Sequence, residues 1–407
     1  MAVPCTLASA LGLVGASDNI LLTTPGATAH YVGNWTVSTP ATTPATPLTI
    51  EPEPGVTNPI LDGNKGSSTG CTTTVCNGSI LKLSAGVSLS VENLTIENAD
   101  NTTTGHGGGI DSGDGVTGGT LVVSGVTFSS NTASNDGGAI DNGDNGESAV
   151  TVSASTFSAN SAFDGGAVDT GDSGDNGESA VTVSASTFSA NSATNGDAIE
   201  GGFAGAVEVA ADIFAGSCDE GGATWDDGGY NVGSDASCFN SGVADTSDSS
   251  LTTQLGPLTN NGGPTATIEP TGANPALGDI PNPTAVTLAS SVVIFCPTTD
   301  QRGVASPPSS PCDAGAVQVP PPLATPAFVA DTPVAHTPVG AAFSYTFAAR
   351  GNPAPTFALG SGTLPTNLTL TSAGVLSGTP TVSGTFTFTV VATNSQGSVT
   401  SPSITIT

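Results

Sequence analysis

The twenty residues GDNGESAVTVSASTFSANSA occur twice in the chain, letter for letter, beginning at Gly143 and again at Gly174. A globular core rarely accepts such a copy, because each interior position faces its own set of neighbours. A stack of equivalent layers accepts it readily. The copy belongs to a looser period. Glycine steps read GGGID at 107–111, GGAID at 137–141, GGAVD at 165–169 and GDAIE at 196–200. Phe128, Phe157, Phe188 and Phe214 keep the same beat, at intervals of 26 to 31 residues. That length excludes heptads and suits one turn of a solenoid.

Within each unit, Val150, Val152 and Ala154 alternate with Thr151, Ser153 and Ser155. A period of two belongs to a half-buried strand. With 54 glycines and 29 prolines in 407 residues, helical repeats are excluded. Short strands that need a neighbouring unit to pair their backbones read as a parallel β-helix, with layers about 4.8 Å apart. Asn131, Asn160 and Asn191 then stack at a turn, where side-chain amides can bond along the ladder.

Four basic against 34 acidic residues give a net charge of −30, which argues against nucleic acid and anionic lipid as partners. Only 9% of residues are charged and 37% are hydrophobic, so this is not a disordered acidic tail. No apolar run is long enough to span a bilayer, and no intact signal peptide is visible at the start. Seven cysteines point to an oxidising, secreted or cell-surface setting. Sequential pairing, Cys71 with Cys76, Cys218 with Cys238 and Cys296 with Cys312, is the simplest arrangement and leaves Cys5 single. A zinc site is the rival, but no CxxC occurs, and His30, His106 and His336 lie far from the cysteines.

Residues 1–100 read as a cap and first rungs, with CTLASALGLVGA as a short helix over the open end. Regular repeats occupy 101–215 and irregular rungs 216–318. The Pro-rich stretch 319–327 reads as a linker, and residues 328–407 as a β-sandwich. GGAI at 137–140 with FSSN at 128–131 and FSAN at 157–160 and 188–191 resembles the repeats of polymorphic outer membrane proteins, which implies surface adhesion. LGPLTNNGGPTATIEPTGANPALGD and CPTTDQRGVASPPSSPCDAGAVQV resemble the choice-of-anchor Q region of bacterial surface proteins. LPTNLTLTSAGVLSGTPTVSGTFTFTVVATNSQGS resembles a bacterial immunoglobulin-like domain. The expected fold is therefore all-β: a right-handed parallel β-helix followed by a small immunoglobulin-like sandwich.

For chemistry, Asp111, Asp141, Asp169 and Glu200 fall at equivalent positions. Two such carboxylates about 5 Å apart repel by roughly 3–4 kcal/mol at an effective dielectric of 20. Splaying into solvent is the expected relief. Calcium is the candidate ion, held by Asp141, Asp144, Asp169, Asp172 and Asp175. Acid/base catalysis in the manner of glycosidases is the further alternative. Trp225, Asp226, Asp227 and Tyr230 form an aromatic and carboxylate set suited to carbohydrate, or an aromatic closing a rung. Arg302 is expected to pair Asp300 or Asp313. The reading that follows is a non-enzymatic adhesin or structural stalk. Its partners would be cell-surface or matrix glycans or proteins, with self-association into a filament or sheath as one alternative and polysaccharide binding or degradation as another.

Overall fold

The computed structural model describes the chain except residues 1–5, 15–17, 24–29, 39–46, 57, 65–76, 85, 103–104, 113–118, 144–148, 172–178, 203–204, 240–241, 279, 282–284, 289–291, 307–310, 320–323 and 353–354. The chain divides into two units, residues 1–319 and 320–407.

The first unit is a parallel β-solenoid with three faces. One face stacks eight strands: Asn19–Leu22, Leu48–Pro52, Ser88–Glu92, Thr120–Ser124, Ala149–Ser153, Ala180–Ser184, Ala206–Ala210 and Thr224–Gly229. A second carries the phenylalanine strands, from His30–Val32 through Thr127–Ser129, Thr156–Ser158 and Thr187–Ser189 to Thr246–Ser247. The third holds the ends of the glycine steps, Ile110–Asp111, Ile140–Asp141, Val168–Asp169 and Ile199–Glu200. The two identical copies are adjacent and in register: Val150 pairs with Val181 and Phe157 with Phe188. One alternate of each strand points inward, so Val152, Val183, Phe157 and Ile140 are fully buried in one continuous core.

Two ladders hold the layers together. Phe128, Phe157, Phe188 and Phe214 stack with centroid spacings of 4.9, 4.6 and 5.1 Å. Asn131 Nδ2 donates to Asn160 Oδ1 at 2.9 Å, and Asn160 Nδ2 to Asn191 Oδ1 at 3.0 Å. Each of the three amides also donates to a backbone carbonyl, those of Ile96, Phe128 and Phe157. The stacked asparagines of the sequence are thus structural, and they satisfy backbone groups that the turn leaves without ladder partners.

The corners explain the glycine steps. Gly137 has φ 57°, and a Cβ at Gly138 would collide with the carbonyl oxygen of Gly166 and the backbone of Ser161 on the next rung. At the other two corners alanine takes the left-handed conformation: Ala154, Ala185 and Ala211 at one, Ala159 and Ala190 at the other, with φ between 44° and 61°. Each such residue costs on the order of 1 kcal/mol.

The helix Leu7–Leu11 is capped by Thr6, whose Oγ1 accepts the Ser9 N–H, and it buries Leu7 and Leu11 in the solenoid core. Among the described residues of 216–318, the rungs continue to Thr246–Ser247. Beyond it, a strap that includes Ala266, Gln301 and Ala316 lies along the phenylalanine face. Its backbone and side chains bond to the outward threonines: Thr127 Oγ1 donates to the carbonyl of Ala266, Thr156 Oγ1 to Gln301 Oε1, and the Ala316 N–H to Thr187 Oγ1. These threonines are fully buried, so the face that would be the wet side of a bare rung is dry here.

The second unit is a set of antiparallel sheets with the features of an immunoglobulin-like sandwich. Phe386–Asn394 is the central strand, pairing with Thr356–Gly362, Gly397–Thr400 and Ile404–Ile406. Phe343–Thr346 and Leu368–Leu370 flank Val375–Gly378. Phe347, Leu376, Phe388 and Val390 are its buried centre. The strand Ala324–Ala330 pairs with Ala348–Asn352, so four residues read as linker, 324–327, are strand.

Candidate functional site

Asp111, Asp141, Asp169 and Glu200 form a continuous in-register column, with Lys82 paired to Asp111 at one end and Asp219 to Glu200 at the other. The expectation that these carboxylates splay into solvent is not met. Asp111 and Asp141 are fully buried and Asp169 is 1% exposed. Three observations account for their burial. Lys82 Nζ lies 2.5 Å from Asp111 Oδ2. Asp141 Oδ1 accepts the Gly143 N–H at 3.1 Å, and Asp169 Oδ2 accepts the Gly171 N–H at 2.7 Å. Burial, followed by hydrogen bonding to Glu200 and the charges of Asp141 and Glu200, pushes the Asp169 carboxyl well above the ordinary range. The shift favours the neutral form of Asp169 and so eases the repulsion along the column. Asp219 repeats the turn-capping bond to the Gly221 N–H. Of the five candidate calcium ligands, Asp144, Asp172 and Asp175 lie outside the described residues.

The carbohydrate set is brought together on the last long strand and the turn after it, but its members face different tasks. Trp225 pairs in register with Val207 and packs, partly buried, against the solenoid core. Tyr230 turns the corner at φ 59° and packs edge-on against Phe295 of the strap, with centroids 5.2 Å apart. Asp227 accepts from the Gly229 N–H, Asn231 Nδ2 and the Gly242 N–H at 2.8–2.9 Å. Asp226 is half-buried and pairs in register with Glu208. Trp225 and Tyr230 thus pack on different parts of the unit, the solenoid core and Phe295.

Arg302 bonds Asp300 through Nε and Nη2 at 3.0 and 2.8 Å, Glu269 through Nη1 at 2.6 Å and the Gln318 carbonyl at 2.6 Å. Asp313 instead accepts the Gly278 and Val319 N–H groups. Cys218–Cys238 and Cys296–Cys312 are disulfides. Cys5, Cys71 and Cys76 lie outside the described residues.

Two features went unseen in the sequence. One is a second polar ladder, in which Ser155, Ser186, Asp212, Asn231 and Asp245 each accept a backbone N–H from the previous rung. Its residue types change at almost every step, so no letter repeats to reveal it. The other is a cluster of His30, Asp62 and Glu97, whose ligand atoms all lie within 4.8 Å of one another. Their spacings of 32 and 35 residues approximate the rung period, which is the signal that could have found them.

The ladder sets a pH dependence. Burial and the neighbouring Asp227 push Asp245 from 3.8 up to about 6. Asp164, Asp212, Asp313 and Glu97 are raised too, chiefly by burial. A carboxyl whose folded value exceeds its unfolded value binds extra protons when folded. Stability then falls as pH rises above about 4, with the Asp245 contribution lost through about 6. Thermal unfolding at fixed ionic strength should show a Tm higher at pH 5 than at pH 7.5, with part of the difference lost in Asp245→Asn. An equal or lower Tm at pH 5 would contradict this.

Among the described residues, no helix is long and apolar enough to cross a membrane. No curated protein and no solved structure matches the chain. Residues 321–407, the antiparallel unit, match the family model He_PIG, described as a putative Ig domain.

Proposed function

We propose that the chain is a non-enzymatic, extracellular surface protein, an adhesin or structural stalk built from a solenoid and an Ig-like unit. The observation that carries this reading is the buried carboxylate column. The same turn-capping role recurs on successive rungs, and a buried carboxylate bonded to its own turn is placed to hold a layer rather than to meet a substrate. Two disulfides and an acidic surface suit an oxidising, extracellular setting. A glycosidase would draw on the same column, so the two readings separate experimentally. Antibody raised to the purified chain should label intact cells of the producing organism, and the chain should release no reducing ends from a polysaccharide panel. Labelling only after permeabilisation, or sugar release abolished by Asp141→Asn, would sink the proposal. The filament alternative draws on the sheet order, in which Thr224–Gly229 ends its face. Electron microscopy across a concentration series tests it, with single particles throughout counting against polymerisation.

A further inference from the structure

We propose that His30, Asp62 and Glu97 form a binding site for one divalent ion of the zinc class. The three residues come from neighbouring strands of the phenylalanine face: His30–Val32, Ile60–Asp62 and Thr95–Glu97. Leu61 and Ile96 on these strands are fully buried in the core. The period of two therefore sends Asp62 and Glu97 to the outer side. Asp62 and Glu97 are register partners, and His30 reaches Asp62 across the first pair, with Nε2 2.6 Å from Asp62 Oδ2. Among the described residues, this is the one His, Cys, Asp and Glu group of three or more whose ligand atoms come so close.

Geometry and charge both fit. Bonds of about 2.0–2.2 Å at a tetrahedral angle place ligand atoms about 3.3 Å apart. The cluster, with one separation of 2.6 Å and none above 4.8 Å, needs only side-chain adjustment to reach that spacing. His30, with 46% of its side chain exposed, is free to make the adjustment. Asp62 is held by a second bond, since its Oδ1 accepts the Asn64 N–H at 2.7 Å. A fixed ligand carboxylate of this kind is what outer contacts provide in metal sites. Two carboxylates with one neutral imidazole carry a charge of −2, which a divalent cation cancels. The imidazole selects among ions: calcium and magnesium prefer all-oxygen sets, whereas zinc accepts mixed nitrogen and oxygen ligands. Three protein ligands leave a fourth position for water. The ion would clip together three entry rungs, the part of the solenoid where the sequence period is least regular.

Titration calorimetry of the metal-stripped full chain at pH 7, with zinc chloride and separately with calcium chloride, tests the site. The expected result is about one zinc per chain, with affinity at least tenfold lower in both His30→Ala and Glu97→Gln, each checked for an unchanged circular dichroism spectrum. A readout without substitution is the nitrogen-15 spectrum of the histidine rings, in which zinc should shift His30 and leave His106 and His336 in place. Absence of saturable zinc binding, calcium binding of similar strength, wild-type affinity in either variant, or an unmoved His30 resonance would each overturn the proposal.

Discussion

Phe157→Ala should destabilise the solenoid by about 3–5 kcal/mol, the range for removing a fully buried aromatic ring. Phe157 has no exposed surface, and its ring lies 4.9 Å from Phe128 and 4.6 Å from Phe188, nearly parallel to both. Truncation removes both stacking contacts, worth about 0.5–1.5 kcal/mol each beyond area burial. It also opens a cavity that the flanking rings cannot close, since each is held by its own strand register. Phe163, six residues later and 53% exposed, is the internal control, and Phe163→Ala should stay within about 0.5 kcal/mol of the parent. Urea unfolding followed by circular dichroism measures both. Because layers touch only their neighbours, the loss is expected to appear first as hydrogen exchange in the rungs on either side. Equal small effects for the two substitutions would mean that the ring ladder does not hold the stack.

The second large effect is expected for Asn160→Ala. Asn160 Oδ1 accepts both the N–H and the side-chain Nδ2 of Asn131, while its own Nδ2 donates to the Phe128 carbonyl and to Asn191 Oδ1. Some of these partners have a second bond: the Asn131 amide also reaches the Ile96 carbonyl, and Asn191 Oδ1 also accepts the Asn160 N–H. The Asn131 N–H and the Phe128 carbonyl lose the bonds that Asn160 supplies in a fully buried site. At roughly 1–3 kcal/mol per buried group left unsatisfied, the loss for the two groups is about 2–6 kcal/mol, measured as a shift in urea midpoint at constant m-value. Asn160→Asp keeps the acceptor and removes the donor, so it should fall between wild type and alanine at a pH above the carboxyl's titration. Alanine behaving like wild type would remove the asparagine ladder from the account of stability.

The solenoid was legible because its most repeated residues are also its most buried ones. Valine and phenylalanine recur where the strands face the core, and GGAI recurs where neighbouring backbones meet too closely for a side chain. Other features were hidden, each for a physical reason. Ala154 and Ala159 turn their corners in a conformation that glycine and asparagine ordinarily supply, so SAST and SANS do not read as turns. Aspartate at a repeat position reads as solvated, because nothing in a linear sequence tells of the Gly143 or Gly171 N–H that lets it stay buried. The strap was hidden for a different reason. Its contacts with Thr127, Thr156 and Thr187 span 129 to 145 residues, and no local pattern in residues 251–318 reports them. Trp225 and Tyr230 show the converse. Their chemistry suits a sugar, yet one packs on the core and the other on Phe295.

The central claim is that the two identical stretches lie as adjacent rungs in register, and cysteine cross-linking measures it most directly. Thr151 and Thr182 occupy equivalent places in the two copies and are Cα partners, and Thr182 is in turn the partner of Glu208. Parallel neighbours lie about 4.8 Å apart, inside the window of about 4.4–6.8 Å that a disulfide needs. Positions two rungs apart, at about 9.6 Å by the same spacing, lie outside it. Oxidation followed by peptide mapping without reduction should therefore find a bond in Thr151→Cys/Thr182→Cys and none in Thr151→Cys/Glu208→Cys. A bond in the second pair, or its absence in the first, would contradict the stack.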